Sequence, residues 1–159
     1  YTQRQESLFI MGRGGTGKGL NINEWLPTPN GWIQMKDIKI GDKVYSYNLN
    51  NNSLELKKVL NTIKSNTIDT YKVTIGGKTV EMSPKHQLYI IDKGWVRAYN
   101  LNVNDKLLDV NGKQITISKI EYKKYDSPID TYNLTIEGNN NYFVTDIQVL
   151  VHNAKSPTL

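Results

Sequence analysis

The octapeptide IDTYKVTI at residues 68–75 recurs at residues 129–136 as IDTYNLTI, with only the fifth and sixth residues changed. A second segment repeats at almost the same distance: IKIGDKV at residues 38–44 corresponds to LNVNDKL at residues 101–107. The two offsets are 61 and 63 residues. Nearly equal offsets in two separate segments indicate an internal duplication, and two units are too few for a solenoid. We therefore predict two intertwined subdomains related by a pseudo-twofold axis.

Short runs of β-branched and aromatic residues follow one another along the chain, at residues 43–47, 71–75, 87–91, 114–118 and 132–136. Turn-forming segments rich in Gly, Asn, Asp and Pro separate these runs. Only two helices of one or two turns are predicted, near residues 35–38 and 96–101. The predicted fold class is all-β, in one domain with short tails.

Composition excludes several kinds of site. The chain has 159 residues and no cysteine, so disulfides, thiolate metal sites and thiol nucleophiles are absent. Two histidines are too few for a metal centre, and we expect no metal and no cofactor. The net charge of +5 comes from scattered lysines without a recognition helix, so no nucleic-acid partner is expected. No apolar run reaches about 18 residues, which predicts no membrane partner and a cytoplasmic location.

A phosphate-binding motif begins near the N-terminus and stops one residue short. Residues 12–18 read GRGGTGK, but Gly19 stands where the motif G-x-x-x-x-G-K-[ST] requires a hydroxyl. Joining Lys18 to Ala154 would continue the motif as GRGGTGK-AKS, so an insertion at residues 19–153 would explain both halves. Residues 7–11 could form the preceding strand, but Pro27 and Pro29 prevent a long helix afterwards. An active NTPase is therefore rejected.

Several segments resemble, in order, the splicing blocks of inteins. Residues 19–20, 28–32 and 35–44 are similar to the N-terminal block, and SPKH at residues 83–86 is similar to the second block, T-x-x-H. Residues 132–136, 141–143 and 149–153 resemble the C-terminal blocks. Residues 109–113 leave no room for the homing endonuclease domain usually inserted there. The resemblance implies the horseshoe-shaped Hedgehog/intein (HINT) fold, itself a duplicated all-β unit.

The resemblance also implies protein self-splicing. Residue 19 would attack the Lys18 carbonyl in an acyl shift, residue 154 would accept the acyl group, Asn153 would cyclise, and a final shift would join the host segments. Residues 1–18 and 154–159 would then be exteins of a P-loop ATPase, and residues 19–153 the intein. The exteins are the expected substrate of this single-turnover reaction. We expect a monomer, either one natural chain or the fused form of a split intein.

Individual roles follow from the matching positions. His86 resembles the histidine that polarises the upstream junction amide, and Ser83 would hold that histidine or the substrate backbone. His152 would activate the carbonyl of Asn153 or protonate the leaving group. Two more positions depart from the usual pattern, since Asn133 and Asn141 stand where many inteins carry an aspartate and a histidine.

Both nucleophile positions also depart from the family. Gly19 stands where inteins have Ser or Cys, and Ala154 where they have Ser, Thr or Cys. The chain is thus interpreted as an inactivated precursor or a naturally degenerate intein. Two alternatives stay open: a Hedgehog-type or toxin-associated autoprocessing domain that cleaves without ligation, and a basic all-β binding module. Splicing chemistry requires converging junctions, so we expect Gly19 and Asn153 on adjacent strands with His86 beside the upstream junction.

Overall fold

A computed structural model describes residues 8–9, 19–108, 113–144 and 151–152. Within these ranges the chain is all-β, as predicted, with short 3₁₀ turns at Met35–Asp37 and Ala98–Asn100 and no α-helix. No helix there is long and apolar enough to cross a membrane. The strands are β1 (Leu8–Phe9), β2 (Leu20–Asn21), β3 (Trp25–Thr28), β4 (Gly31–Gln34), β5 (Lys43–Asn48), β6 (Ser53–Ile75), β7 (Lys78–Met82), β8 (Gln87–Ile90), β9 (Gly94–Arg97), β10 (Lys106–Leu108), β11 (Gln114–Ile136), β12 (Asn141–Val144) and β13 (Val151–His152).

The predicted duplication is confirmed in the order of the elements. A hairpin, a 3₁₀ turn, a short strand, a long strand and a further strand follow one another in β3 to β7, and again in β8 to β12. The two long strands, β6 and β11, each have 23 residues and each end on the repeated octapeptide. The repeat therefore marks the same structural position in both halves.

The long strands hold the halves together. β6 and β11 pair antiparallel from Ile117 opposite Ile75 to Ile136 opposite Val59. Their register shifts between Lys124 and Ile129, where β11 carries extra residues, including Pro128, opposite Ile68. A bulge of this kind tolerates a proline, which cannot donate to the ladder. Each half thus supplies the long strand that the other half requires as its partner.

Two sheets of the described chain carry the strands next to the predicted junctions. β2 lies between β7 and β11, with Leu20 opposite both Met82 and Tyr132. β13 lies between β8 and β12, with Val151 opposite both Leu88 and Tyr142. The turn at residues 83–86 joins β7 to β8 and so connects the neighbour of one junction strand to the neighbour of the other.

Apolar side chains from both halves form one buried core. The largest buried members are Leu20, Leu26, Met35, Ile75, Met82, Leu88, Tyr142 and Phe143. Burying a side chain of this size stabilises the fold by roughly 1.5–3 kcal/mol. The core therefore fixes β7 and β8, which flank the turn at residues 83–86, together with β2 and β12.

Three expectations from the sequence require correction. The runs at residues 114–118 and 132–136 belong to one continuous strand, and β6 begins at Ser53, well before the predicted start at residue 71. Residues 94–97 are a strand, so the predicted helix at 96–101 is reduced to one 3₁₀ turn. β13 pairs with β8 and β12, not with β2, so the described strands beside the two junctions lie in different sheets.

Candidate functional site

Ser83 bonds both backbone polar groups of Gly19, the residue that follows the predicted upstream junction. The Gly19 N–H donates to Ser83 Oγ at 2.7 Å, and the Ser83 N–H donates to the Gly19 carbonyl oxygen at 2.9 Å. The Gly19 nitrogen is also the nitrogen of the Lys18–Gly19 peptide bond. Ser83 is fully buried, so both bonds are shielded from water. Of the two tasks predicted for Ser83, the structure shows it bonded to the substrate backbone.

His86 ends the same turn. Its N–H donates to the Ser83 carbonyl oxygen at 3.1 Å, and its own carbonyl oxygen accepts the Ala98 N–H at 2.7 Å. The side chain is fully buried. The backbone bonds hold His86 in the turn that contacts Gly19, and the second 3₁₀ turn supports it from the opposite side. Ser83 thus contacts Gly19 directly, and His86 is joined to Ser83 through the backbone of the same turn, while its role at the Lys18–Gly19 junction stays a prediction.

Position 19 has no room for a side chain. Gly19 has a φ of +153°, and a Cβ built on it would lie 2.8 Å from the Tyr132 carbonyl oxygen and 3.0 Å from Thr131 Cβ. Contacts below 3.0 Å to backbone atoms require the surrounding strands to move. The intact backbone of β11 therefore excludes a serine or cysteine at this position unless β2 and β11 separate.

The side chain of Asn133 is buried on β11, with an exposed fraction of 1%. Its Oδ1 accepts the Leu134 N–H at 2.8 Å and the Tyr142 hydroxyl at 2.7 Å. Its Nδ2 has no hydrogen-bond partner among the described residues. Tyr142 is fully buried, and this burial raises the pKa of its phenol far above the ordinary value.

Asn141 has a different environment, although it was grouped with Asn133 on sequence. Its Oδ1 accepts the Tyr47 N–H at 2.8 Å and the Ser46 hydroxyl at 2.6 Å. Its Nδ2 donates to the Tyr47 carbonyl oxygen at 2.8 Å and to the Asn139 carbonyl oxygen at 3.2 Å. The Asn141 amide bonds the backbone of Tyr47 as a neighbouring strand would, and its contacts with Tyr47 and Ser46 join β12 to β5.

The downstream junction is described only in part. The backbone of His152 lies opposite Asn141 at the end of β13. Asn153, Ala154 and Lys18 lie outside the described residues. β13 directly precedes Asn153 in the sequence and lies between β8 and β12, the strand that contains Tyr142.

Tyr142 and Ser46 were not singled out by the sequence, although both bond predicted site residues. Tyr142 lies within a C-terminal block and could have been noticed there, whereas nothing local distinguishes Ser46. In the described ranges, no group of three His, Asp or Glu side chains could hold a metal ion.

Comparisons with known proteins place the fold and the family. A sequence model of the pretoxin HINT domain matches residues 25–154. The solution structure of a bacterial intein-like domain from Clostridium thermocellum is 32% identical, covers 87% of this chain and 100% of its own, and superposes with a TM-score of 0.82. The gp41-1 intein is 26% identical over 87% of this chain and 100% of its own, with a TM-score of 0.72. The DnaB intein from Synechocystis sp. PCC 6803 is 18% identical over 87% and 99%, with a TM-score of 0.75, and shows the fold alone.

No curated protein sequence matches the chain. The family match spans most of its length, and the 32% identical structure covers a similar share. The chain is therefore a HINT-domain protein of the pretoxin HINT family, related in structure to inteins and bacterial intein-like domains.

Proposed function

We propose that this HINT domain cleaves its own chain between Asn153 and Ala154 and leaves the Lys18–Gly19 peptide bond intact. The observation that carries the proposal is the crowding at position 19, where a side chain able to attack Lys18 has no space. The downstream step needs no residue at position 19. It needs only Asn153 and groups that assist it, so it survives the loss of both hydroxyl or thiol nucleophiles.

The proposed cleavage is an asparagine cyclisation. The side-chain nitrogen of Asn153 attacks the main-chain carbonyl carbon of the same residue and forms the ring C–N bond of a succinimide. The C–N bond to Ala154 breaks, the attacking nitrogen loses one proton, and the departing Ala154 amine gains one. His152 would transfer that proton or polarise the carbonyl. No cofactor, metal or second substrate enters this balance.

The placement of β13 supports this assignment. Asn153 follows directly after His152, whose strand is held on one side by β12 and on the other by β8. β12 is in turn fixed to β5 by the amide of Asn141. We propose that Asn141 acts here through position, by holding the strand that pairs with His152, since its amide is fully bonded to Tyr47, Ser46 and Asn139.

Upstream, the contacts of Ser83 are consistent with a junction that is held and not attacked. Ser83 Oγ accepts from the Gly19 N–H, and the Ser83 N–H binds the Gly19 carbonyl. His86, in the same turn, keeps the role proposed for it at the Lys18–Gly19 amide. Without a nucleophile at position 19, polarising that amide does not cleave the Lys18–Gly19 peptide bond.

Complete splicing is the second candidate, favoured by the two halves of the phosphate motif and by the 26% identity to the gp41-1 intein. On this view residues 1–18 and 154–159 are exteins of a P-loop ATPase, and residues 19–153 are excised. Acyl shift, transesterification, cyclisation and ligation would require hydroxyls or thiols at positions 19 and 154. The present residues, Gly19 and Ala154, block the first two steps.

Mass spectrometry of the purified full-length chain on long incubation tests the proposal. We expect residues 1–153 with a C-terminal succinimide, lighter by one water than the hydrolysis product, and a peptide of residues 154–159. Asn153→Ala should abolish both products, and His152→Ala should slow them. Cleavage that persists unchanged in Asn153→Ala is proteolysis and refutes the proposal. A Gly19→Ser, Ala154→Ser variant that joins residues 1–18 to 154–159 would instead establish splicing.

A further inference from the structure

Each half of the domain contains the same turn before its short strand. In the first half the Lys39 N–H donates to Asp42 Oδ2 at 2.9 Å, and the Asp42 N–H donates to the Lys39 carbonyl oxygen at 3.0 Å. In the second half the Asn102 N–H donates to Asp105 Oδ2 at 2.9 Å, and the Asp105 N–H donates to the Asn102 carbonyl oxygen at 3.1 Å. The two aspartates also occupy the same position of the repeated segment. Asp42 and Asp105 are therefore equivalent residues.

The aspartate of the second half binds an ammonium group. Lys93 Nζ lies 2.7 Å from Asp105 Oδ1, so both carboxylate oxygens of Asp105 have partners. The side chain of Asp105 is only 6% exposed. A carboxylate this well buried requires such a partner, because burial without one is costly. The lysine comes from the turn between β8 and β9, so the ion pair joins this hairpin to the turn before β10.

The first half lacks the equivalent lysine. Asn30 is the last residue of the turn between β3 and β4, as Lys93 is of the turn between β8 and β9. The Asn30 N–H donates to Thr28 Oγ1 at 3.2 Å, within its own hairpin. The Lys93 N–H donates to the Ile90 carbonyl oxygen at 3.0 Å, again on the last residue of the preceding strand. The first half thus keeps the aspartate and has a short neutral amide in place of the lysine.

An open cleft lies between the same two elements of the first half. It has a volume of about 400 Å³ and is lined by residues 28–30 and 33 of the hairpin and by residues 41–43 of the turn. Sites for small ligands usually measure about 300–1,000 Å³, so this cleft is large enough for one. Its lining includes none of the residues assigned above to splicing or cleavage. The cleft is therefore a separate site, in the place that the ion pair occupies in the other half.

The carboxylate of Asp42 keeps one oxygen available for a ligand. Among the described residues, its side chain bonds only through Oδ2, to the Lys39 N–H. Lys43 also lines the cleft and carries a positive charge. The equivalent lysine of the second half, Lys106, likewise follows its aspartate directly, yet Asp105 still binds an ammonium group. A lysine at this position is thus compatible with a bound cation.

We propose that the cleft binds a primary alkyl ammonium group, with Asp42 Oδ1 as its acceptor and with Pro29 and Ile33 against its methylene stem. The duplication identifies this chemistry, because the equivalent carboxylate holds such a group in the second half. Amines of this kind commonly lay an apolar stem along apolar side chains and keep the charge at a polar group. A lysine side chain of a peptide and a free alkyl amine share the group. The inference goes beyond the proposed cleavage and does not depend on it.

Titrations of the full chain followed by proton–nitrogen correlation NMR test the inference. The probes are Nα-acetyl-lysine N-methylamide, which presents a lysine side chain, and butylammonium chloride, at constant ionic strength. Both should shift the amide signals of Asn30, Gly41 and Asp42 in a saturable manner. The lysine probe acetylated on its side-chain nitrogen carries no charge and should give no saturable shift. The amine that binds more tightly distinguishes a peptide lysine from a free amine as the source.

Variants of the cleft identify the acceptor. Asp42→Asn should weaken binding of both amines by roughly 10- to 100-fold, because a hydrogen bond between two charged groups is lost. This variant is nearly isosteric, and its side-chain oxygen can still accept the Lys39 N–H. Asn30→Lys should abolish binding, because the new lysine would pair with Asp42 as Lys93 pairs with Asp105. Asn30→Gln is the matched neutral control and should bind as the unmodified chain does.

Lys93→Ala tests the equivalence of the two halves. Butylammonium should then also shift the signals of Asn102 and Asp105, which it leaves unchanged in the unmodified protein. Absence of these new shifts would contradict the equivalence on which the choice of ligand rests. The inference is overturned if neither amine gives saturable shifts at Asp42, or if Asp42→Asn binds them as tightly as the unmodified chain. Equal binding of the acetylated probe would overturn it as well, since apolar contacts alone would then account for the binding.

Discussion

Gly19→Ala should destabilise the domain through two effects at one position. The added Cβ would lie 2.8 Å from the Tyr132 carbonyl oxygen and 3.0 Å from Thr131 Cβ. Overpacking of this kind costs about 1–3 kcal/mol. The φ of +153° adds backbone strain of about 1–2 kcal/mol for any residue with a side chain. The free energy of unfolding should thus fall by about 2–5 kcal/mol.

Thermal unfolding followed by circular dichroism measures this loss. For a chain of this size, 1 kcal/mol corresponds to about 2–4 °C, so Tm should fall by about 4–20 °C. Gly31→Ala is the matched control, because Gly31 has a φ of +110° but nothing within 4 Å of its Cβ position. Gly31→Ala should show the strain alone.

The comparison of the two alanine variants decides whether position 19 is reserved for glycine. A Tm for Gly19→Ala equal to that of Gly31→Ala, or within 2 °C of the unmodified protein, would refute the crowding argument. A nucleophile could then be accommodated at position 19, and the case for cleavage without ligation would lose its main support.

Three further outcomes follow from the same geometry. Hydroxylamine should release no fragment ending at Lys18, because no ester forms at the upstream junction; release seen by mass spectrometry would show that another group attacks there. Asn141→Leu should lower the free energy of unfolding by about 2–5 kcal/mol in urea denaturation, because the buried Tyr47 N–H and carbonyl and the Ser46 hydroxyl lose their hydrogen bonds to the Asn141 amide. An unchanged urea midpoint would contradict the view that this amide holds β12 to β5. The folded-state pKa of Tyr142 is raised above the unfolded value of 10.0, so its contribution to stability is complete below pH 10. Above pH 10 the free energy of unfolding should fall by about 1.4 kcal/mol per pH unit. Tyr142→Phe should make this alkaline decrease shallower in denaturant titrations.

The duplication could be predicted because similar residues recur in the same order in both halves of the sequence. The octapeptide at 68–75 and 129–136 gave the offset, and β6 and β11 end on those residues. The earlier part of β6 and the middle of β11, between the predicted runs 114–118 and 132–136, escaped prediction. Residues 53–66 are mostly Lys, Asn, Ser, Leu and Thr. Apart from the buried Val59 they are partly or fully exposed, so the pattern has no clear apolar face to detect. Pairing with β5 for residues 53–58 and with the distant β11 for the residues after them makes this segment extended.

Contacts within a single sequence motif could be predicted, whereas contacts between segments far apart in the sequence could not. Ser83 and His86 lie in one short turn, so the backbone bond between them could be expected from the block, and Ser83 also contacts Gly19. Asn133 and Asn141 are both asparagines at block positions, yet one keeps a buried donor without a described partner and the other is bonded to β5. Only the three-dimensional neighbours Tyr142 and Tyr47 separate them, and sequence spacing does not reveal those neighbours.

The interlocked long strands also govern when the domain can become active during synthesis. β6 is complete at Ile75, but its partner is complete only at Ile136. At 5–20 residues per second, β6 waits roughly 3–12 s before its partner has been translated. The lysines along β6, including Lys57, Lys58 and Lys64, discourage wrong pairing of its edges in that interval. Under the proposed function, cleavage would wait for β12 and β13, which follow β11 in the chain, and the nascent chain would stay whole until the domain has folded.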